Sequence, residues 1–152
     1  MGWLIDNLPA IITIAGILSS VVFSGIGSAK GASMISKAAN ALIAEQPEKF
    51  GQSLVLFMMS ASQGLYGFII GFLIFINLGD GLTLPAAFRY LGVGLIMGIA
   101  GFFTAIEQSV AATAGMQVLA KKPEHFTKGL LYSAMIETYA IFAFVISMMI
   151  VL

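Results

Sequence analysis

Residues 134 to 144 read AMIETYAIFAF and set Glu137 in the middle of an otherwise apolar run. A carboxylate placed there has two chemistries open to it: it can carry a proton, or it can hold a cation as one oxygen ligand among several. It cannot stay ionised and uncompensated, because insertion scales put the cost of a charged acid at bilayer depth at ~2.5 kcal/mol or more. All seven basic residues lie outside the span centres, so the compensating charge must be a proton, a bound cation or an arginine of another protein.

Polar side chains gather at a similar predicted depth. Met59, Ser62, Gln63 and Tyr66 fall at i, i+3, i+4 and i+7 and so share one helix face. Gln108 precedes Glu137 by 29 residues across a hairpin. A proton needs only the carboxylate, whereas a hard cation needs several oxygens to replace its hydration shell. Two amides, a hydroxyl and a phenol around one acid therefore favour a sodium-type ion, with the proton left open. Glu107 is the second acid inside an apolar run. If it shared the pocket, mutual repulsion would keep one of the two carboxyls protonated. Neighbouring helix residues point about 100° apart, so with Gln108 turned to the site Glu107 is expected to face elsewhere, towards serine or threonine side chains.

The elements that must hold these residues follow from composition. The chain has 152 residues, 59% of them hydrophobic and 9% charged, with a mean hydropathy of +1.01. That is a membrane protein and not a soluble domain. Apolar runs at about 8–29, 53–78, 91–119 and 129–152 each reach the ~20 residues of a spanning helix. The expected fold is all-α with four transmembrane helices and both termini on one side. No basic residue precedes Lys30, so the N-terminal run lacks the positive region of a cleavable signal and reads as the first span. Trp3 and Tyr90 sit near expected span ends, where interfacial aromatics collect. Lys30, Lys37 and Lys49 surround the first connection and Lys121, Lys122 and Lys128 the third, while Arg89 alone lies near the second. The excess of positive charge makes connections one and three cytoplasmic and puts the termini outside. The remaining acids, Asp6, Glu45, Glu48, Asp80 and Glu124, fall at ends or in connections. With no cysteine there is no disulfide or thiolate metal site. The few basic residues are matched by acids, which gives nucleic-acid binding no support.

The chain also repeats itself. EQPEKFGQSLVLFMM at 45–59 and KKPEHFTKGLLYSAM at 121–135 share Pro-Glu-x-Phe before an apolar run, 76 residues apart. The expected units are two tandem hairpins, 1–76 and 77–152, the second carrying the glutamate and the first Ala61 in its place. Units of two spans repeat in parallel about the membrane normal, which argues against a carrier built on inverted repeats. The odd helices carry long stripes of Gly, Ala and Ser, and the even ones the bulky Phe, Ile, Leu and Met. Small residues let backbones approach closely, so odd helices inside and even helices facing lipid describe a ring. The prolines at 47 and 123 are expected to start helices. His125, in the KKPEHFTKG turn, reads as a surface residue, and the nine methionines as packing or lipid-facing groups.

FSGIGSAKG (23–31), QPEKFGQ (46–52), QGLYGFIIGFLIFINLG (63–79), LAKKPEHFTKG (119–129) and IETYAI (136–141) closely resemble the K subunit, the c-type proteolipid, of bacterial V-type rotary ATPases, above all the sodium-transporting kind. The resemblance covers essentially the whole chain. It implies a rotor ring of identical protomers, turning in the cell membrane against a stator subunit that supplies an arginine, with a central-stalk subunit at the cytoplasmic turns. It further implies Glu137 as the essential carboxylate and Gln63, Gln108, the Ser62 hydroxyl and the Met59 main-chain carbonyl as Na+ ligands, with Tyr66 holding Glu137. A proton or lithium in place of sodium stays open. Two departures stand out. Ser60-Ala61 replaces the Pro-Gly that frees backbone oxygens in relatives, and Glu107 stands where a small apolar residue is expected. The protein is then no enzyme itself: no phosphate-binding Gly-x-x-x-x-Gly-Lys loop is present. The competing readings are a proton-carrying rotor of the same family, a small proton-coupled cation exporter and a channel-like oligomer.

Overall fold

The computed structural model describes residues 2–79 and 81–152, and these form helices and short connections with no strand. Asp80, expected in a connection, lies outside the described residues. The first span is a single helix, α1 (Gly2–Glu45). The second opens with a 3-10 turn (Pro47–Lys49), continues as α2 (Phe50–Met58), tightens over Met59–Ala61 and resumes as α3 (Ser62–Phe75). The third is α4 (Leu84–Lys121), and the fourth a 3-10 turn (Pro123–His125) running into α5 (Phe126–Val151). All four are long and apolar enough to cross a membrane.

The helices outrun the apolar runs that announce them. At 1.5 Å per residue α1 is about 66 Å long, twice the hydrocarbon thickness. Its second half keeps winding because alanines, good helix formers, fill it between the lysines. Pro47 and Pro123 sit in the first turn of the elements they open, where a missing N–H is no loss. Thr83 starts α4 by accepting the N–H of Ala86 at 3.4 Å.

The 76-residue register of the sequence is a register of backbone geometry too. Gln46 and Lys122, one at each turn, have φ/ψ of −136°/71° and −145°/74°. The N–H of Gln46 donates to Leu42 at 2.8 Å and that of Lys122 to Val118 at 2.7 Å. Lys49 donates likewise to Gln46, and His125 to Lys122.

Helices α1 and α4 pack along the small-residue stripes. A Cβ on Gly27 would stand 2.6 Å from the Phe102 Cα, and one on Gly94 would run into the Gly16 carbonyl, so these backbones meet with no side chain between them. Ser24 sits in this seam, its hydroxyl donating to the Ser20 carbonyl at 2.7 Å. The second span lies in the groove between α1 and α4, whereas α5 packs on α4 and α3 without an extended contact to α1. The fourth span is accordingly the least buried of the four. Leu65, Phe68, Phe72 and Phe75 of α3 and Tyr132, Met135, Tyr139 and Phe142 of α5 are more than half exposed, an apolar face suited to lipid. Tyr90 corrects the expectation of an interfacial aromatic: it is 4% exposed, inside the core. Its backbone lies against Gly16, which leaves its ring room to pack inward.

Candidate ion-binding site

The second span changes winding beside the polar cluster. From Met59 to Ala61 the chain takes 3-10 turns, with three residues per turn instead of 3.6. No proline or glycine forces this. Half-buried serines supply replacement hydrogen bonds: the Ser62 hydroxyl donates to the Met59 carbonyl at 3.1 Å, and the N–H of Gly64 donates to the Ser28 hydroxyl of α1 at 2.8 Å. One local and one distant serine thus do for this backbone what Pro-Gly would do by removing a donor. The turn also brings Ser62, Gln63 and Tyr66 to one side, facing α4 and α5.

Gln63 and Gln108 are fully buried, and Glu137 is half-buried. The Gln63 Nε2 donates to the Gln108 Oε1, and the Gln108 Nε2 donates to the Glu137 Oε2 at 3.4 Å. From the other side the Tyr66 hydroxyl donates to the Glu137 Oε1 at 2.7 Å, and the Ser62 hydroxyl reaches the Gln63 Oε1 at 3.3 Å. Met59, Ser62, Gln63, Tyr66, Gln108 and Glu137 form one connected network, drawn from three spans. Tyr66 is itself braced by Phe144, with ring centroids 5.0 Å apart.

The electrostatics are simple. Among the described residues both hydrogen-bond partners of the Glu137 carboxylate are neutral. An ionised carboxylate offers about four lone-pair sites, so two accepted bonds leave oxygen free towards the amides. The carboxylate, two amide oxygens, a hydroxyl and a main-chain carbonyl are all oxygen groups of the kind that hard cations take as ligands. Glu107 lies outside this network: it is exposed and makes no side-chain hydrogen bond among the described residues, while its neighbour Gln108 is buried.

Two contributors were not singled out from sequence for this site. Ser28 was one small residue in a stripe, although the spacing of four that runs from Ser20 through Ser24 to Ser28 puts all three on one face. Ser133 donates to the main-chain carbonyl of Gln108 at 3.2 Å and ties α5 to α4 one turn before Glu137. That i, i+4 relation to the acid was the available signal.

The chain matches the family model of the ATP synthase C subunit twice, over residues 15–74 and 91–150, stretches that begin and end 76 residues apart. It is 50% identical to the V-type sodium ATPase subunit K of Enterococcus hirae, over 97% of this chain and 94% of that one. It is 32% identical to the A-type ATP synthase subunit K of Methanocaldococcus jannaschii, over 93% of this chain and 62% of that one. To the 16 kDa proteolipid of the V-type proton ATPase of Rattus norvegicus it is 26% identical, over 95% of both. Two tandem matches over most of its length, on two helical hairpins that span a membrane, make the chain a member of the ATP synthase C-subunit family, the c-type proteolipids.

Proposed function

We propose that the protein is the ion-carrying rotor subunit of a V-type ATPase, and that each copy binds one Na+ at Glu137. The observation that carries the reading is the convergence of Gln63, Gln108, Ser62 and Tyr66 on a single membrane-embedded carboxylate. Likeness to a subunit of a sodium ATPase supports the choice of ion. The Gln63 and Gln108 amide oxygens, the Ser62 hydroxyl and the Met59 carbonyl complete the shell, and Tyr66 holds one carboxylate oxygen in place. The hairpins 1–76 and 77–152 act as two parallel units, and identical copies close into a ring. The lysine-rich turns face the cytoplasm, where a central stalk docks on them, and both termini face out.

The cycle follows from charge. With its ion Glu137 is neutral and passes lipid; without it the carboxylate is costly there and must meet a positive group, an arginine of a stator subunit. Rotation then carries one ion per copy from one side's access path to the other's. ATP hydrolysis belongs to other subunits, which turn the ring.

The test is the rate at which a hydrophobic carbodiimide labels Glu137 in the purified assembly at fixed pH, with sodium titrated against an inert cation. Such reagents need a protonated, reachable carboxyl. Saturable protection by sodium supports the reading, and lithium titrated in the same way tells whether it competes. Labelling that follows pH but ignores sodium makes the protein a proton-carrying rotor instead.

A further inference from the structure

Lys49 caps a helix within the chain. It is 9% exposed, and its Nζ donates to the main-chain carbonyls of Leu119 at 3.0 Å and Ala120 at 3.2 Å. The last carbonyls of a helix have no intrahelical partner. Here Pro123 deepens the deficit, because it supplies no N–H to the carbonyl of Leu119, four residues earlier. A cation at the C-terminal end of α4 answers both this and the helix dipole.

The second hairpin repeats the backbone of this arrangement without the helix in front of it, with Lys122 for Gln46, whose Nε2 also donates to Ala120 at 3.5 Å, and with His125 for Lys49. His125 stands 76 residues after Lys49, in a turn of the same backbone geometry. Pro47 likewise withholds an N–H from the carbonyl of Ile43, and no hydrogen bond reaches the Ile43 or Ala44 carbonyl across the turn among the described residues. Beside His125 lies an open groove of about 580 Å³ between α4 and α5, lined among others by Val118, Lys121, Gly129 and Tyr132. Val118 and Lys121 are the register counterparts of Leu42 and Glu45, which line the α1 side of the α1–α4 seam opposite Met116 and Ala120 of α4. The groove is thus a second copy of a surface that the chain fills for itself once.

We propose that this groove receives the last turn of α1 from a neighbouring copy, and that His125 caps its Ile43 and Ala44 carbonyls as Lys49 caps Leu119 and Ala120. The occupant is a second copy because α1 alone has both the small-residue face and the open carbonyls in matching register. The inference rests on the ring reading above. It gives the seam between copies a property that the seam within a copy lacks. Lysine donates at any ordinary pH, whereas histidine changes charge between about pH 5 and 8. An imidazolium donates from both nitrogens and opposes the negative end of the dipole; a neutral ring donates once. The groups facing it are Lys121 at the end of α4 and Lys122 just after it, Lys128 and Tyr132 from α5, Glu124 in its own turn, and Glu45 arriving with the neighbour's α1. A charged cap opposes the dipole more strongly than a neutral one, so the assembly is expected to be longer-lived at low pH than at high pH.

Two measurements on the purified assembly test this. The chain has no cysteine, so Ala44→Cys with His125→Cys can be treated with a short bis-maleimide and run under denaturing conditions. A ladder of covalent multimers is expected. The second measurement is the lifetime of the assembly in detergent as a function of pH. The lifetime should fall roughly two- to fivefold between pH 6 and 8.5 in the parent; His125→Lys should remain long-lived and flat, and His125→Ala short-lived and flat. If native mass shows a multimer but the cysteine pair gives no ladder, or the pH dependence survives in both His125 variants, the proposal is overturned while the ring stands. If the parent itself proves monomeric by native mass, the ring reading falls, and the proposal with it.

Discussion

At the scale of single residues, the site is a carboxylate whose neighbours are arranged to leave oxygen free. Tyr66 occupies one carboxylate oxygen at 2.7 Å, so Tyr66→Phe removes a hydrogen bond to a charged group. Such bonds contribute about 1.5–3 kcal/mol, and the sodium concentration for half-protection against carbodiimide should rise at least roughly tenfold. Ser62→Ala should weaken binding less than this, and Ser62→Thr should preserve it, because the hydroxyl that meets the Met59 carbonyl and the Gln63 amide is retained. On the proposed function, protons and sodium compete for the same carboxylate. Lowering pH at fixed sodium should therefore weaken protection, and raising pH restore it, which a two-dimensional titration reads directly. Much of this site was legible in the chain: Ser62, Gln63 and Tyr66 were found from helical spacing, and Gln108 from its depth relative to Glu137. What spacing could not supply was who holds the holders. Ser28 and Ser133 act through main-chain groups of other spans, and a serine that bonds to a distant backbone looks in sequence like any small residue.

At the scale of elements, close approach is the organising demand. α1 and α4 touch backbone to backbone at Gly16 and Gly94, so Gly94→Val must force the helices apart. The expected result is loss of folded protein in detergent, read as early aggregation in a thermal scan. Gly51, whose added Cβ would meet nothing within 4 Å, serves as the control: Gly51→Ala should be neutral or stabilising by up to about 1 kcal/mol. The spans were visible from apolar runs, but their lengths were not, because helices continue where alanine replaces leucine and lipid gives way to water. The break in the second span was invisible for a different reason. The sequence lacks the Pro-Gly that would mark it, and the tightening over Met59–Ala61 comes with two side-chain bonds, one from Ser62 to Met59 within the span and one from Gly64 to Ser28 that needs α1 packed alongside.

At the scale of the whole molecule, four spans leave the termini together, and the proposed orientation sets the lysine-rich turns in the cytoplasm. Trp3→Cys and Leu152→Cys should react with an impermeant thiol reagent from outside intact cells, whereas Glu48→Cys and Glu124→Cys should react only after permeabilisation. Labelling of the turns first would reverse the orientation. The two hairpins were legible as a repeat because a shared Pro-Glu turn kept its spacing, and the backbone keeps it as well. What the repeat does not keep is the acid: Ala61 stands where Glu137 stands in the second half. In a rotor this vacancy acts as a gear. If ions ride on Glu137 as proposed, every four helices around the circumference carry one ion instead of two, so each turn moves fewer ions for the same work input. The free energy of one hydrolysed ATP is then divided among fewer charges, and the pump stalls only against a steeper gradient.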